Sequence, residues 1–361
     1  STRKPGPASV PPRNSETRDS YMLEKYQNVT VTGGLGFIGT HLVGELQSLG
    51  KNVTIIDSLW TSADKPVPKG VRFIEADIRD PGKIAESVEG ADLVFHVAAN
   101  SNGTLSVENP RLDHEMNDIG TFNVMEGASN GGIGRVLYVS SASVYGIPQS
   151  FPMQETDPKE PFVPYGSSKY RGELNALSFH HARGLDVVIA RPFCVYGPGE
   201  NPKIALTEPT RFIRWALNDD AIPVVGDPDR KTRDFVSVHD LVRGFLVIVD
   251  KGQAGQAYNV GSGEEISMTE LVRTIGQITG RKVRIHAIRE ITDDTYRLVA
   301  DISKIRSLGY NPQVSLREGL KELVRSLGDH PERPSGGTIF KVGQKAESRK
   351  FFPHTPMTEV P

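Results

Sequence analysis

The sequence feature that most constrains the fold is a glycine-rich turn between a short apolar run and a helical pattern. Gly33, Gly36 and Gly39 follow the β-branched residues 29–31, and the helical pattern begins at Phe37. Glycine allows a sharp turn there and lets the backbone approach a pyrophosphate at the helix N-terminus. Glycine-rich turns can also serve only tight strand–helix packing, so the position between strand and helix is what favours dinucleotide binding.

Short apolar runs alternate with helical patterns along the first half of the chain. A helical pattern covers residues 37–49, and apolar runs recur at residues 29–31, 53–56, 71–74, 93–96, 136–139 and 187–190. Such alternation is typical of βαβ units, which build a parallel sheet. The last four runs are apolar enough for central strands covered on both faces. We therefore predict an α/β protein with a Rossmann-type doubly wound parallel sheet.

The predicted organisation divides the 361 residues into four parts. Residues 1–26 are polar and contain prolines, which indicates a flexible leader. The dinucleotide-binding domain spans residues 27–190, with some later segments returning to it. Residues 191–328 contain irregular stretches rich in Gly and Pro and a helical pattern at 209–217, which predicts a smaller, mixed α/β substrate lobe. Residues 329–361 lack periodicity, so this irregular tail is either a loose arm or wraps back on the body.

Charge and composition argue against several classes of partner. Lysine and arginine total 42 against 44 aspartate and glutamate, so no net field favours nucleic acid or an anionic membrane. No apolar run reaches the roughly 18 to 20 residues of a membrane span. The single cysteine, Cys194, cannot form an intrachain disulfide, which fits a reducing compartment, and we expect a cytoplasmic protein. The histidines lack the spacing and acidic partners of a zinc site, so no metal is predicted.

Asp57 ends the second predicted strand, roughly 20 residues beyond the glycine turn. An acidic residue there can accept hydrogen bonds from the adenosine ribose, although a surface aspartate starting a loop would look the same. Its charge would repel a 2′-phosphate, and no arginine follows in Ser58, Leu59 or Trp60. NAD is therefore favoured over NADP.

Three residues carry the predicted chemistry. Tyr165 and Lys169 are one helical turn apart, so both side chains share a helix face. A free tyrosine has a pKa of about 10, and a neighbouring ammonium stabilises the phenolate, which makes Tyr165 a candidate general base or acid. Ser141, at the end of the strand before it, can hydrogen-bond to the same substrate oxygen. The pair alone would be compatible with an ordinary exposed helix, but the ordered set of turn, serine and pair favours catalysis.

These blocks resemble the extended short-chain dehydrogenase/reductase superfamily, and within it the nucleotide-sugar epimerase and dehydratase branch. The resemblance spans about residues 28–326 and is carried by residues 32–39, 77–78, 96–99, 117–121, 140–146 and 165–169. In the second lobe, residues 233–236 and 258–261 are similar to the family segments that meet the nucleotide diphosphate.

The resemblance implies a cofactor and a set of contacts for it. Asp77 and Ile78 are expected at the adenine, Ala98 and Ala99 along the cleft, and Asn117 on the nicotinamide side. The full set of residues expected to bind NAD is Gly33, Gly36, Phe37, Ile38, Gly39, Asp57, Ser58, Asp77, Ile78, Ala98, Ala99, Asn117, Ser140, Tyr165, Lys169 and Pro192.

The resemblance also implies substrate contacts in both lobes. Arg233 is the expected phosphate ligand, because a guanidinium group can bind a phosphate through two hydrogen bonds. The sequence alone does not distinguish this role from that of an ordinary surface arginine. Arg297 is a second candidate. Cys194 stands where the family often has an asparagine that holds the substrate's phosphates, and a core-filling role is favoured for its thiol. The expected substrate-binding set is Ser141, Ser143, Tyr165, Cys194, Arg233 and Arg297.

The residues after Ser141 bear on the reaction. Family dehydratases carry an Asp–Glu pair directly after the catalytic hydroxyl residue, and related decarboxylases place a glutamate just before the Val–Tyr–Gly block, whereas this chain has Ala142 and Ser143. Without those carboxyl groups, elimination of water lacks its usual acid and base. We therefore expect an NAD-dependent epimerase of a nucleotide-diphosphate sugar, acting through a transient keto-sugar, with C4 as the expected centre by resemblance.

Two alternatives stay open at this point. The first is a nucleotide-sugar dehydratase or a reductase with the same cleft, and the second is a non-catalytic dinucleotide-sensing protein. The resemblance further implies a homodimer joined through the segment 110–130 and the helix that carries Tyr165.

Overall fold

The computed structural model describes residues 23–202, 207–288 and 295–334, together with the backbone of residues 357–359. Its largest unit is a seven-stranded sheet in which every neighbouring pair is parallel. In spatial order the strands are β3 (Arg72–Glu75), β2 (Asn52–Asp57), β1 (Asn28–Thr32), β4 (Leu93–His96), β5 (Arg135–Val139), β6 (Val187–Pro192) and β11 (Ala257–Val260).

Helices cover both faces of this sheet. One face carries α1 (Phe37–Ser48) and α8 (Val238–Lys251), and the other carries α2 (Pro81–Val88), α5 (Gly120–Asn130) and α6 (Pro164–Arg183). Neighbouring residues of one strand enter opposite cores, because side chains alternate along a strand: Phe95 packs on the α1 side and Val94 on the α5 side. The predicted doubly wound parallel sheet is confirmed.

Shorter segments connect these elements near the carboxyl ends of the strands. They are α3 (Gly103–Glu108), α4 (Pro110–His114), a π-helical turn at Glu115–Ile119 and a 3-10 turn at Ala142–Tyr145. A further 3-10 turn, Leu23–Lys25, precedes β1.

Two expectations about the first lobe are corrected. The run at 71–74 is not a central strand, because β3 lies at the edge of the sheet, where Arg72 and Glu75 are exposed. The expected flexible leader, residues 1–26, also extends too far toward the C-terminus. Leu23 is 2% exposed and Tyr26 is 4% exposed, and both pack into the core, so residues 23–26 belong to the folded body. Residues 1–22 lie outside the described residues.

A smaller, mixed α/β lobe follows β6, as predicted. Its core joins Phe212, Leu271 and Leu320 from three helices. Its elements are β7 (Cys194–Tyr196), α7 (Glu208–Leu217), β8 (Ile222–Val225), β9 (Thr232–Arg233), β10 (Phe235–Ser237), β12 (Ile266–Ser267), α9 (Met268–Thr279), β13 (Arg284–Ile288), β14 (Arg297–Leu298) and α11 (Leu316–Leu327). The short helix α10 (Ser303–Arg306) packs instead on α8 and on β11 of the large sheet. The strands form short sheets, β10–β7, β12–β9–β14 and β13–β8. Because β6 extends to Pro192 and because α8 and β11 return to the large sheet, the expected boundary at residue 190 falls inside a strand.

The described parts of the tail contact the second lobe. The carbonyl oxygens of Pro331 and Glu332 accept hydrogen bonds from Asn218 and Arg214. Residues 357–359 form a strand, β15 (Met357–Glu359), that pairs antiparallel with β13, whereas an irregular tail was expected. Residues 335–356 and 360–361 lie outside the described residues. Across the described ranges, no helix is both long enough and apolar enough to cross a membrane.

Candidate active site

A cleft of about 490 Å³ opens where the parallel strands end. Gly33, Asp57, Val97, Ser140 and Pro192, which end or follow β1, β2, β4, β5 and β6, all line it. Ligands of open α/β sheets bind at this carboxyl edge. The predicted site residues that line the cleft are Gly33, Gly36, Phe37, Ile38, Gly39, Asp57, Ser58, Asp77, Ile78, Ala98, Ala99, Ser140, Ser141, Ser143, Tyr165, Lys169, Pro192 and Cys194.

The glycine turn requires glycine at two positions for different reasons. Gly33 has a φ of +68°, a left-handed conformation that side chains disfavour. A Cβ at Gly39 would lie 2.1 Å from the carbonyl oxygen of Gly33, so helix α1 and the turn approach more closely than any side chain permits. Backbone packed this tightly leaves the helix N-terminus open toward the cleft, which is the arrangement that binds a pyrophosphate.

Asp57 fixes the turn as well as facing the cleft. Its carboxylate accepts hydrogen bonds from the Leu35 backbone N–H at 3.0 Å, the Leu59 N–H at 2.9 Å and the Ser62 hydroxyl at 2.9 Å. A carboxylate offers about four acceptor positions, so one remains for a ribose hydroxyl. The same residue therefore joins the glycine turn to β2 and can select the ribose.

Tyr165 and Lys169 lie on α6, where Lys169 is 2% exposed and Tyr165 is half-buried at the cleft. Burial lowers the pKa of Lys169 to about 7, opposed by the negative charges of Asp113 and Glu173. Burial raises the pKa of Tyr165 to about 12, opposed by a hydrogen bond with Ser141. That the Lys169 ammonium stabilises the phenolate form of Tyr165 stays a prediction. With its pKa raised to about 12, Tyr165 is protonated at neutral pH.

Ser141 is held in place by its own turn. It is the N-cap of the 3-10 turn at 142–145, where its Oγ accepts a hydrogen bond from the Ser143 N–H at 3.1 Å and donates one to the Ser143 hydroxyl at 3.2 Å. The adjacent Ser140 donates to Glu173 at 2.5 Å, which ties the end of β5 to α6. These hydrogen bonds hold the Ser141 hydroxyl next to Tyr165, and both side chains still face the cleft.

Three predicted contact residues do not line the cleft. Asn117 is 1% exposed, and its amide bonds to Asn100, Asp113 and Ser168, so it supports the site from behind. Nη1 of Arg233 donates to the backbone carbonyls of residues 232, 295 and 296.

Arg297, the third, is a surface residue. It makes a two-pronged ion pair with Glu265 at 2.8 and 2.9 Å, and it lies over the ring of Phe151. Arg233 and Arg297 were expected at the substrate, and each is instead held by protein groups in this conformation.

The cleft also presents residues that the sequence reasoning missed. On the second-lobe side these are Glu200, Asn201, Thr207 and Arg211, and on the first-lobe side Trp60, Thr61, Lys65 and the segment 101–104. Glu200 and Asn201 directly follow the Gly–Pro–Gly stretch after β7, so the rule that sites lie at carboxyl ends of strands would have found them. No sequence signal marks Arg211, which reaches the cleft from helix α7.

Glu200 is the buried acid among these missed residues. Burial raises its pKa to about 7, although the Thr207 N–H donates to it at 2.8 Å and the Thr207 and Thr210 hydroxyls donate as well. Cys194 lines the same cleft, and burial raises the pKa of its thiol. A thiol of raised pKa is a poor nucleophile, which agrees with the packing role expected from the sequence.

A comparison with known families identifies the class of protein. The model of the NAD dependent epimerase/dehydratase family matches residues 29–261, which include the glycine turn, Ser141, Tyr165 and Lys169. The chain belongs to this family. NAD is accordingly its cofactor, and the glycine cradle at Gly33 and Gly39 has the close backbone approach that a dinucleotide needs.

Similar proteins span more than one reaction. A putative UDP-glucose 4-epimerase of Methanocaldococcus jannaschii is 34% identical over 299 residues, covering 82% of this chain and 97% of that protein. UDP-glucuronic acid decarboxylase 6 of Arabidopsis thaliana is 33% identical over 331 residues, covering 88% and 92%.

Solved structures show the same spread. The UDP-glucose 4-epimerase of Thermotoga maritima with UDP-glucose has a TM-score of 0.79 at 30% identity, covering 83% of this chain and 98% of that one. A double mutant of the dTDP-glucose 4,6-dehydratase DesIV of Streptomyces venezuelae with NAD bound has a TM-score of 0.75 at 33% identity, covering 82% and 96%. Family membership therefore establishes an NAD-dependent enzyme class and leaves the reaction to the site.

Proposed function

We propose that this family member is an NAD-dependent epimerase that inverts one carbon, C4, of a nucleotide-diphosphate sugar through a transient keto-sugar. The observation that carries the proposal is the pair of residues after Ser141. Ala142 and Ser143 bring a methyl group and a hydroxyl to the wall of the cleft where family dehydratases have carboxyl groups. Neither side chain can act as the acid and base that elimination of water needs, so proton transfer through Tyr165 alone is favoured.

The proton chemistry follows from the geometry of three side chains. NAD, when bound, supplies the oxidant that accepts a hydride from the sugar carbon and later returns it to the opposite face. Tyr165 takes the proton of the sugar hydroxyl and gives it back after the keto-sugar has turned. Ser141 steadies the same oxygen, and the charge of Lys169 stabilises the phenolate form of Tyr165.

The polar wall of the second lobe supports a nucleotide-diphosphate substrate. Asn201, Thr207 and Arg211 line that side of the cleft, and guanidinium groups recognise phosphate oxygens well. Arg233 lies behind this wall, with its Nε 3.9 Å from the Glu208 carboxylate. The resemblance of both solved neighbours to this chain over more than four fifths of its length supports a nucleotide sugar.

A dehydratase is the second candidate, and one observation favours it. Glu200 places a carboxyl group of pKa about 7 at the cleft, which suits a general acid or base. Its oxygens accept hydrogen bonds from Thr207 and Thr210, however, so the carboxylate serves local structure first. A reductase that releases its product, or a non-catalytic sensor, would have the same cofactor cleft. A sensor, however, does not need the catalytic side chains of Ser141 and Tyr165.

The assembly and location of the enzyme are part of the proposal. Ile119, Phe122 and Leu174 are 43%, 41% and 49% exposed on the helical segments expected to form a homodimer interface. Large apolar side chains exposed together mark association surfaces. The single cysteine, Cys194, together with a nucleotide-linked substrate, supports a cytoplasmic location.

The test is product analysis with purified enzyme. The protein is incubated with a panel of UDP-, GDP-, dTDP- and CDP-sugars, products are identified by NMR, and NADH is followed by absorbance. We expect inversion of one sugar without net NADH, and no turnover in Tyr165→Phe. A dehydrated product or stoichiometric NADH would replace the epimerase with the dehydratase or the reductase, and inactivity on every sugar would contradict the proposed substrate class.

A further inference from the structure

A short segment after β7 joins the two lobes across the cleft. Residues 197–201 form this strap, and its last three residues line the same cleft as Asp57 and Thr61 of the first lobe. A Cβ at Gly199 would lie 3.9 Å from Cδ2 of Phe37, the first residue of α1. The strap therefore passes beside the part of the cleft where the glycine turn and Asp57 are expected to hold the pyrophosphate and the ribose of NAD.

Two hydrogen bonds tie the strap to the first lobe. Nδ2 of Asn201 donates to the carbonyl oxygen of Thr61 at 3.0 Å, in the loop after β2. Nε2 of His41, in α1, lies 2.9 Å from the carbonyl oxygen of Pro198. A carbonyl oxygen only accepts, so this ring nitrogen carries a hydrogen and His41 is the donor. Both bonds cross between the lobes, so they exist only while the strap lies against the first lobe.

The ring of His41 is itself held by two aromatic neighbours. It meets Phe37 edge-on, with ring centres 6.0 Å apart, and it meets His239 of α8 edge-on at 5.2 Å. Nε2 of His239 in turn lies 3.0 Å from the carboxylate of Glu322 in α11. These contacts fix the plane of the His41 ring, so its hydrogen bond to the strap has a fixed direction.

The strap is also bonded to the second lobe. Glu200 accepts hydrogen bonds from the Thr207 N–H at 2.8 Å and from the hydroxyls of Thr207 and Thr210, which lie at the start of α7. Neighbouring residues of one strap are thus bonded to different lobes. The cleft can open at this point when the two bonds to the first lobe break, while the strap stays on the second lobe.

We propose that the strap retains NAD, and that the hydrogen bonds of Asn201 and His41 must break before the cofactor leaves. The inference rests on the proposed function, because an epimerase regenerates NAD in every turnover and has no need to exchange it. Loss of the reduced cofactor before the hydride returns would strand the keto-sugar. A reductase, which exchanges its cofactor in every cycle, would be slowed by the same strap, since opening of such a segment limits release.

The test measures how fast NAD leaves and enters the cleft, and it needs no turnover. Enzyme loaded with radiolabelled NAD is mixed with excess unlabelled NAD, and the label that stays on the protein is followed by rapid filtration. Association is followed as uptake of label by cofactor-stripped enzyme. Asn201→Asp keeps the size of the side chain without its N–H donor, and His41→Phe keeps a ring without a donor. We expect release to be about 5- to 10-fold faster in each, the effect of one lost hydrogen bond.

Retention by a strap differs from direct binding in its effect on association. Neither bond involves the cofactor, so weakening them eases opening in free and loaded protein alike. Association should therefore quicken by the same factor as release, and the dissociation constant should stay within about 2-fold of wild type. Faster release with unchanged association would mean that these side chains bind NAD directly. That outcome, or unchanged release in both variants, overturns the proposal.

A matched control removes an equivalent bond outside the cleft. Asn218 also donates its amide hydrogen to a backbone carbonyl, that of Pro331 at 2.8 Å, within the second lobe. Asn218→Asp should leave both rates unchanged, and an equal change there would overturn the proposal, because general loosening would then suffice. His41→Gln, whose amide can replace the Nε2 donor, should restore slow release.

The two ties are independent, which keeps the test decisive. If Asn201→Asp or His41→Phe does not fold, the other variant carries the same expectation. If wild type turns over no nucleotide sugar, the proposed function fails, but the rates of NAD exchange still decide the role of the strap.

Discussion

Replacing Gly39 by alanine tests the nucleotide cradle directly. The added Cβ would lie 2.1 Å from the Gly33 carbonyl oxygen and 2.8 Å from the Gly34 Cα. Favourable contacts between heavy atoms begin at about 3.5 Å, so helix and turn must separate by more than about 1 Å. Hydrogen bonds from the turn to a charged pyrophosphate contribute about 1.5–3 kcal/mol each, and misplacing one or two of them weakens NAD binding by about 100-fold.

The matched control lies on the same helix. A Cβ at Gly44 meets no atom within 4 Å, so Gly44→Ala should bind NAD as wild type does. It should also gain about 0.5–1 kcal/mol of stability, because glycine is unfavourable inside a helix. Dissociation constants are measured by isothermal titration calorimetry on cofactor-stripped protein, and stability by urea unfolding. Equal affinities for Gly39→Ala and wild type would refute the argument from close approach, and so would an equal loss in Gly44→Ala.

Three further predictions concern two buried charged groups and one exposed apolar side chain. Arg191→Met should lower the free energy of unfolding in urea by about 3–5 kcal/mol, because Glu173 keeps a buried charge without its ion-pair partner; a loss under about 1 kcal/mol would contradict this. The Glu200 carboxyl has its pKa raised from 4.5 to about 7, so its ionisation destabilises the folded state as pH rises through that window. Glu200→Gln should therefore stabilise the protein by about 2–3 kcal/mol more at pH 8 than at pH 4.5, as measured by urea unfolding at both values. Leu174→Glu should convert a dimer to a monomer in size-exclusion chromatography with unchanged unfolding; an unchanged elution volume would place the interface elsewhere.

The parts of the fold that could be predicted are those set by local patterns. Alternating apolar runs locate six of the seven strands of the large sheet, and the glycines at 33 and 39 mark a turn where close backbone approach leaves no room for a side chain. The seventh strand, β11, was expected in the second lobe instead, where residues 258–261 resemble a diphosphate-binding segment. The misplaced β3 shows the limit of this reasoning. Its apolar residues suggested a central strand, but Arg72 and Glu75 at its ends are exposed, as suits a strand at the edge of the sheet.

The substrate wall could not be predicted in the same way, because the partner of a charged side chain is set by the tertiary fold. Arg233 and Arg297 have the right chemistry for phosphate, yet they bond to backbone carbonyls and to Glu265. Arg211 reaches the cleft because helix α7 presents it there. The sequence identifies the arginines that could bind phosphate, but it does not show which of them faces the ligand in the folded protein.

The same reasoning extends to the two carboxylates around Lys169, which differ only in their partners. Glu173 is neutralised by Arg191, whereas Asp113 is not paired with an arginine. Removing Arg191 would leave the charge of Glu173 to act on Lys169, so Arg191→Gln should move the titration of Lys169 to higher pH, as followed by NMR of the labelled lysine. Arg191→Lys keeps the cation and should move it little. An unchanged Lys169 titration in Arg191→Gln would show that the charge of Glu173 does not act on Lys169, and an equal shift in Arg191→Lys would show that both variants act by loosening the core.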